Sequence, residues 1–182
     1  GILAARDRKQ AMVSYDRIRR AAKIGVTGHQ DLGPLEQVAW VRSVIREVLS
    51  ILRPSMGYTC LAAGADQIFA ECLIAQGIPY VAIIPSRQYE QSFVAHEHRD
   101  NYFKLLNLAD SSMKLDFPSP GDEAYVAAGQ SLLQFVDLIV AIWNGRPAKG
   151  PGGTGDVVQM ALSRKTSVLH IDPWLRSVQW SA

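Results

Sequence analysis

Asp137-Leu-Ile-Val-Ala-Ile-Trp143 is a short, almost wholly apolar run, followed at once by Asn144-Gly-Arg-Pro-Ala-Lys-Gly-Pro-Gly-Gly-Thr-Gly-Asp156. A run without polar alternation suits a strand covered on both faces. The periodic segment Thr154 to Ser163 that follows reads as a helix. Five glycines lie from Gly145 to Gly155, between that strand and that helix. Consecutive glycines let successive N–H groups point into one cavity, and a helix start adds about half a positive charge. The arrangement predicts an anion cradle on Gly152, Gly153, Thr154 and Gly155, flanked by Arg146 and Lys149. Each charge-assisted hydrogen bond in such a cradle contributes ~1.5–3 kcal/mol. The loop lacks the Gly-Lys-Ser/Thr ending of a Walker loop, which argues against ordinary nucleoside-triphosphate hydrolysis.

The rest of the chain alternates in the same way. Strands are predicted at Lys23–Thr27, Tyr58–Leu61, Tyr80–Ile84, Met113–Phe117, Asp137–Trp143 and Ser167–Ile171. Helices are predicted from Pro34 to Leu52, Ala65 to Gln76, Tyr89 to Ala109, Glu123 to Phe135 and Thr154 to Ser163. Such alternation implies right-handed crossovers and a mainly parallel sheet flanked by helices, a Rossmann-like α/β three-layer sandwich. The 182 residues fit one domain over 23–173, preceded by a segment 1–22 that reads as a basic amphipathic helix and followed by a tail 174–182 without clear pattern. The amphipathic segment makes a homodimer the expected assembly. Hydrophobic and charged shares of 48% and 20% are those of a globular chain rather than a disordered one. With 19 basic and 17 acidic residues the net charge is +2, too balanced for a nucleic-acid footprint. Two cysteines make neither a disulfide framework nor a cysteine metal cluster, and no apolar run reaches the ~20 residues of a membrane span. The expected setting is cytoplasmic, with no membrane and no nucleic-acid partner. Residue 1 is Gly rather than Met, which leaves room for a removed leader or a tag remnant.

Ligands of such sheets bind beyond the carboxyl ends of the strands, so the loops there are the candidate site. Two more loops qualify. Gly25-Val-Thr-Gly-His-Gln-Asp31 follows the first strand; Gly28 allows a sharp turn or close ligand approach, and Thr27, His29 and Asp31 offer hydrogen-bonding groups. The alternative is a plain strand-to-helix turn with Asp31 capping locally. The spacing is not Gly-x-Gly-x-x-Gly, so it carries no dinucleotide fingerprint. Ala62-Ala-Gly-Ala-Asp66 follows the second strand, its small residues clearing space and Gly64 standing just before a helix. Asp66 reads either as a cap of that helix or as an acceptor for ribose hydroxyls or a base.

Together Gly25-Val-Thr-Gly-His29, Ala63-Gly-Ala-Asp66 and Pro151-Gly-Gly-Thr-Gly-Asp156 resemble the SLOG superfamily, the Rossmann-like group of LOG phosphoribohydrolases, the DprA core and molybdenum-cofactor carriers. The likeness spans about residues 23–173. It implies a nucleotide or nucleotide-derived ligand with its phosphate on residues 152–154, held by a sensor or a carrier, and no required cofactor. Enzymatic LOG proteins carry Pro-Gly-Gly-x-Gly-Thr-x-x-Glu, whose glutamate takes part in cleaving the base–ribose bond. Pro151, Gly152, Gly153 and Gly155 match, whereas Asp156 stands at the threonine position and Gln159 at the glutamate position. Gln159 cannot serve as a carboxylate. Hydrolysis of a nucleoside monophosphate is therefore the rival reading, with Asp66 or Asp156 as the catalytic carboxylate. A scaffold that kept the fold and lost the ligand is the third.

Elsewhere, His96-Glu-His98 sits on a helix where i and i+2 face apart, so a solvated face is expected rather than a metal pair. No metal site is expected. Arg87, Tyr89 and Arg99 follow the third strand, and Tyr89 is placed to stack on a base or to be a half-buried aromatic of a surface turn.

Overall fold

The computed structural model describes residues 23–181 together with Ala4, Arg6, Arg8 and Lys9. Along residues 23–181 seven strands and five α-helices alternate: β1 (Lys23–Gly28), α1 (Leu35–Leu52), β2 (Met56–Thr59), α2 (Ala65–Ala75), β3 (Tyr80–Ile84), α3 (His96–Leu108), β4 (Ser111–Lys114), α4 (Asp122–Phe135), β5 (Leu138–Ile142), α5 (Thr154–Ser163), β6 (Ser167–Asp172) and β7 (Ser177–Ser181). One sheet holds all seven strands in the order β4-β3-β2-β1-β5-β6-β7. Every neighbouring pair is parallel except β6 and β7, which form an antiparallel hairpin. The expected three-layer sandwich is present. Helices α1, α2 and α3 pack on one face and α4 and α5 on the other, each over its own apolar cluster.

The apolar runs explain the layering. Leu138, Ile139, Val140, Ala141 and Ile142 are all buried, as a strand covered twice must be. Burial of each such aliphatic side chain contributes ~1.5–3 kcal/mol relative to exposure. Asp137 stands just outside β5 and clamps it to β1: its carboxylate accepts the Lys23 N–H at 2.9 Å, and its own N–H donates to the Lys23 carbonyl at 2.8 Å.

Four expectations shift. The second strand runs from Met56 to Thr59, not from Tyr58 to Leu61, because Leu61 takes a left-handed φ of 57° and is already loop. The edge strand β4 is Ser111–Lys114 rather than Met113–Phe117, its register fixed by Val81 opposite Ser111. The single helix expected from Tyr89 to Ala109 is a 3-10 turn at Tyr89–Ser92, a break, and then α3. The break lets Phe93 turn back and stack on Tyr102, with centroids 5.0 Å apart, while Tyr89 meets both rings edge-on. The tail expected to lack pattern supplies β7, paired with β6 from Val168 opposite Ser181 to Asp172 opposite Ser177. Of the N-terminal segment 1–22, only the four residues named above are described; there Arg8 pairs with Glu47 of α1 at 2.9 Å. The rest of that amphipathic expectation lies outside the described residues.

Candidate functional site

The strand order reverses between β1 and β5, so the loops leaving their carboxyl ends diverge to opposite faces and open a crevice. A cavity of about 820 Å³ lies there. Of the residues singled out in the sequence, Thr27, Gly28, Asp66 and Arg146 border it, and so do Gly152, Gly153, Thr154 and Gly155. Gly64 and Asp156 do not.

His29 ties the crevice together. Its N–H donates to the Ile142 carbonyl at the end of β5, and its carbonyl accepts the Ala65 N–H at the start of α2, both at 3.1 Å. Its Nε2 accepts the Asn144 N–H at 3.3 Å, which places the ring proton on Nδ1. Three loops are thereby hung on one residue. Asp31 caps locally, accepting the Gly33 N–H at 2.9 Å. Gly28 is required by packing: a Cβ there would stand 2.4 Å from the Ala65 Cβ and 2.9 Å from the Ile142 Cβ.

The glycine-rich loop folds back on itself. Asn144 accepts the Arg146 N–H, and the Trp143 indole donates to the Arg146 carbonyl at 2.8 Å. Gly152 has φ of 78°, and a Cβ on it would meet the backbone of Tyr125 and Val126 at 2.8 Å. A Cβ on Gly155 would meet the Ala148 nitrogen at 2.7 Å. The glycines thus let the loop lie flat against α4 and against itself. At the start of α5 the N-cap Gly153 offers no side chain, and helix geometry leaves the first-turn amides of Thr154, Gly155 and Asp156 without intrahelical acceptors. Arg146 and Lys149 reach the same wall of the cavity. Asp156 instead braces the loop, its carboxylate accepting the Gly152 N–H at 3.0 Å. Gln159 is exposed and away from the cavity.

Asp66 is only 6% exposed and sits in the second position of α2, behind the cap residue Gly64. It does not cap its own helix; its carboxylate accepts the Ala62 N–H at 3.3 Å. Thr59 holds the same turn, its hydroxyl donating to the Asp66 carbonyl and accepting the Leu61 N–H. Gly64 serves this packing: with φ of 79°, a Cβ on it would strike the Gln30 carbonyl oxygen at 2.2 Å. Burial pushes the Asp66 carboxyl up to about 7, against the smaller pull of the Ala62 and Cys60 amides. Cys60 and Tyr89 border the cavity with it, and burial pushes both well up.

The folded chain therefore holds a proton on Asp66 that the unfolded chain releases near 3.8. The stability this contributes is complete below that value and is lost as pH rises to about 7, at a slope of at most ~1.4 kcal/mol per pH unit. Urea midpoints followed across this range should fall for the native chain and run flatter for Asp66→Asn. Parallel slopes would show that Asp66 titrates normally.

Tyr89 is buried rather than half-exposed, and it forms an aromatic wall with Phe93 and Tyr125. Arg87 and Arg99 lie off the cavity; Arg87 faces Asp116 at 3.8 Å, and Arg99 donates to His96 Nδ1. His96, Glu97 and His98 are exposed. Among the described residues no group of three or more His, Cys, Asp or Glu side chains is placed to hold a metal ion. Trp174, in the tail expected to lack pattern, also borders the cavity.

Solved structures share the fold that carries this cavity. DNA processing protein A from Streptococcus pneumoniae superposes with a TM-score of 0.60 at 14% identity, covering 83% of this chain and 50% of that one. The chain shares the Rossmann-like α/β fold of that protein over most of its own length. The Helicobacter pylori DNA processing protein A, whose structure addresses its single-stranded DNA binding mode, gives 0.59 at 13% identity over 82% of this chain and 64% of that one. The Chlamydomonas rheinhardtii Moco carrier protein gives 0.50 at 16% over 83% and 76%. The chain thus spans half to two thirds of the length of these DNA processing proteins. No protein-family model and no curated protein matches the sequence. Among the described residues no helix is long and apolar enough to cross a membrane.

Proposed function

We propose that the chain binds a nucleotide or nucleotide-derived small molecule in this crevice, as a sensor or a carrier. The reading rests on one juxtaposition: Thr154 and Gly155 in the first turn of α5, with Arg146 and Lys149, border the same cavity as the buried carboxyl of Asp66. A phosphate suits the first end, and a sugar hydroxyl or base edge suits the second. The shared fold supports the reading, since one protein that has it binds single-stranded DNA and another is a Moco carrier. A net charge of +2 favours a small ligand over a strand here. No cofactor is required for such a role, and a cytoplasmic homodimer joined through the N-terminal segment completes the proposal.

Hydrolysis of an N-glycosidic bond is a second reading, favoured by one observation: Asp66, raised to about 7, is poised near neutrality to protonate a departing base. Asp156 is committed to its loop and suits that role less. A thermal-shift screen of nucleoside mono-, di- and triphosphates, ADP-ribose and cyclic nucleotides, with chromatography for free base, separates the readings. A ligand at ~100 times its dissociation constant adds ~2.7 kcal/mol of stability. A shift without free base is expected; free base would establish the hydrolase. No shift with any of them would leave a scaffold that binds none.

A further inference from the structure

The cavity has two aromatic ends. At one, Tyr89 and Phe93 follow β3 and meet Tyr125 of α4, close to Asp66. At the other, Trp174 follows β6 and meets His29 edge-on, with centroids 5.6 Å apart. The glycine-rich loop follows β5, which lies between β3 and β6 in the sheet. From β3 to β6 there are four strand spacings of ~4.8 Å, so the two ends are rooted roughly 19 Å apart. A cavity of about 820 Å³ lies toward the upper part of the ~300–1,000 Å³ range of small-molecule sites.

Trp174 is held as a platform. It is 45% exposed, yet its N–H and that of Leu175 both donate to Asp172 Oδ1, at 2.9 and 3.0 Å. Asp172 is itself buried. On the other side Arg176 takes a left-handed φ of 53° and lays its guanidinium 5.2 Å above the Trp40 ring. The backbone that carries the indole is thereby fixed, and the ring leans on the His29 edge; an aromatic on a fixed turn loses less freedom when a flat ring stacks on it.

Building on the nucleotide reading above, we infer that the ligand is of the dinucleotide type: two ring systems joined through a pyrophosphate. The pyrophosphate lies on the glycine-rich loop, one planar ring stacks against Trp174, and the other end enters the Tyr89, Phe93 and Tyr125 wall beside Asp66. A monophosphate fills one arm only.

The test compares equilibrium binding of AMP and GMP with that of their symmetric pyrophosphate-linked dinucleotides, on the native chain, Trp174→Ala and Trp174→Phe. One base–aromatic stack corresponds to roughly a five- to hundredfold change in affinity, so one dinucleotide should exceed its monophosphate by about that factor. Trp174→Ala should erase the advantage and Trp174→Phe should keep most of it. Monophosphates that match the dinucleotides, or a Trp174→Ala protein that binds the dinucleotide unchanged, would overturn the inference while leaving the nucleotide reading in place. Failure of all four compounds to bind would overturn the dinucleotide inference, and the wider screen above decides the nucleotide reading by itself.

Discussion

Gly28→Val should leave little folded protein. The first added carbon stands 2.4 Å from the Ala65 Cβ, 2.9 Å from the Ile142 Cβ and 2.9 Å from the Ile142 carbonyl oxygen, with two methyl groups still to place. None of these is the far end of a flexible chain. β1 and β5 are central strands, and α2 begins at Ala65, so none can retreat without unpairing the others. The Ile142 carbonyl also receives the His29 N–H, a bond that any outward shift would break. Overpacking in a core typically costs ~1–3 kcal/mol, and this site should exceed that, against a total stability of ~5–15 kcal/mol for a domain. Gly121→Val is the control: nothing lies within 4 Å of its Cβ position, so its cost is that of a poorer N-cap for α4, about 1 kcal/mol. Urea unfolding of both proteins decides; a Gly28→Val chain as stable as the control would refute the packing described around β1.

Gly152→Val should abolish nucleotide binding while the fold persists. Two costs coincide there: φ of 78°, and a Cβ that would meet Tyr125 Cβ at 2.6 Å and the α4 backbone at 2.8 Å. The left-handed conformation alone costs a branched residue ~1–3 kcal/mol. Unlike Gly28, Gly152 stands in an irregular surface loop, so the chain can relieve the clash by lifting the loop from α4. Lifting it breaks the bond from the Gly152 N–H to Asp156 and moves the amides that should face a phosphate. Loss of two charge-assisted bonds at ~1.5–3 kcal/mol each lowers affinity by at least ~150-fold, below detection for a micromolar ligand. Circular dichroism should show an intact fold, and calorimetry with the nucleotide that stabilises the native chain should show no heat. Native-like affinity in a folded Gly152→Val protein would remove the glycine-rich loop from the site.

The sandwich was legible because its strands are nearly pure in pattern. Tyr80–Ile84 and Leu138–Ile142 carry no polar residue at all, and a double cover is the remaining way to bury such runs. Thr154 starts α5 where the glycine loop ends, as expected. What escaped depended on contacts distant in sequence. Leu61 ends β2 through a left-handed turn that no local preference for leucine would suggest. The break before α3 follows from Phe93 meeting Tyr102. β7 shows only Val178 and Trp180 as alternate apolar positions, too few for periodicity, and it exists because β6 offers a free edge. In the site, the loops were found from their small residues, but the roles of Gly64 and Asp156 were not. Both stand outside the lining of the cavity and serve the backbone, one approaching Gln30 and the other holding Gly152. Composition shows which residues are small or acidic; it does not show which way they face.

The central place of β1 bears on how the chain matures on the ribosome. β1 is made before β5: β2 gives it one neighbour, but its other edge stays open until β5 arrives, with Lys23 and Asp137 separated by 114 positions. Long-range parallel pairing of this kind is slow to form and leaves unfinished edges open to wrong partners. The cleft needs still more chain, since its walls run from Val26 to Trp174. A ligand therefore has nothing complete to hold during synthesis and cannot template the nascent protein. Protection of the half-made sheet falls to helices α1 to α3 on one face and to α4 on the other, all made before β5, and the cover of that second face is completed by α5.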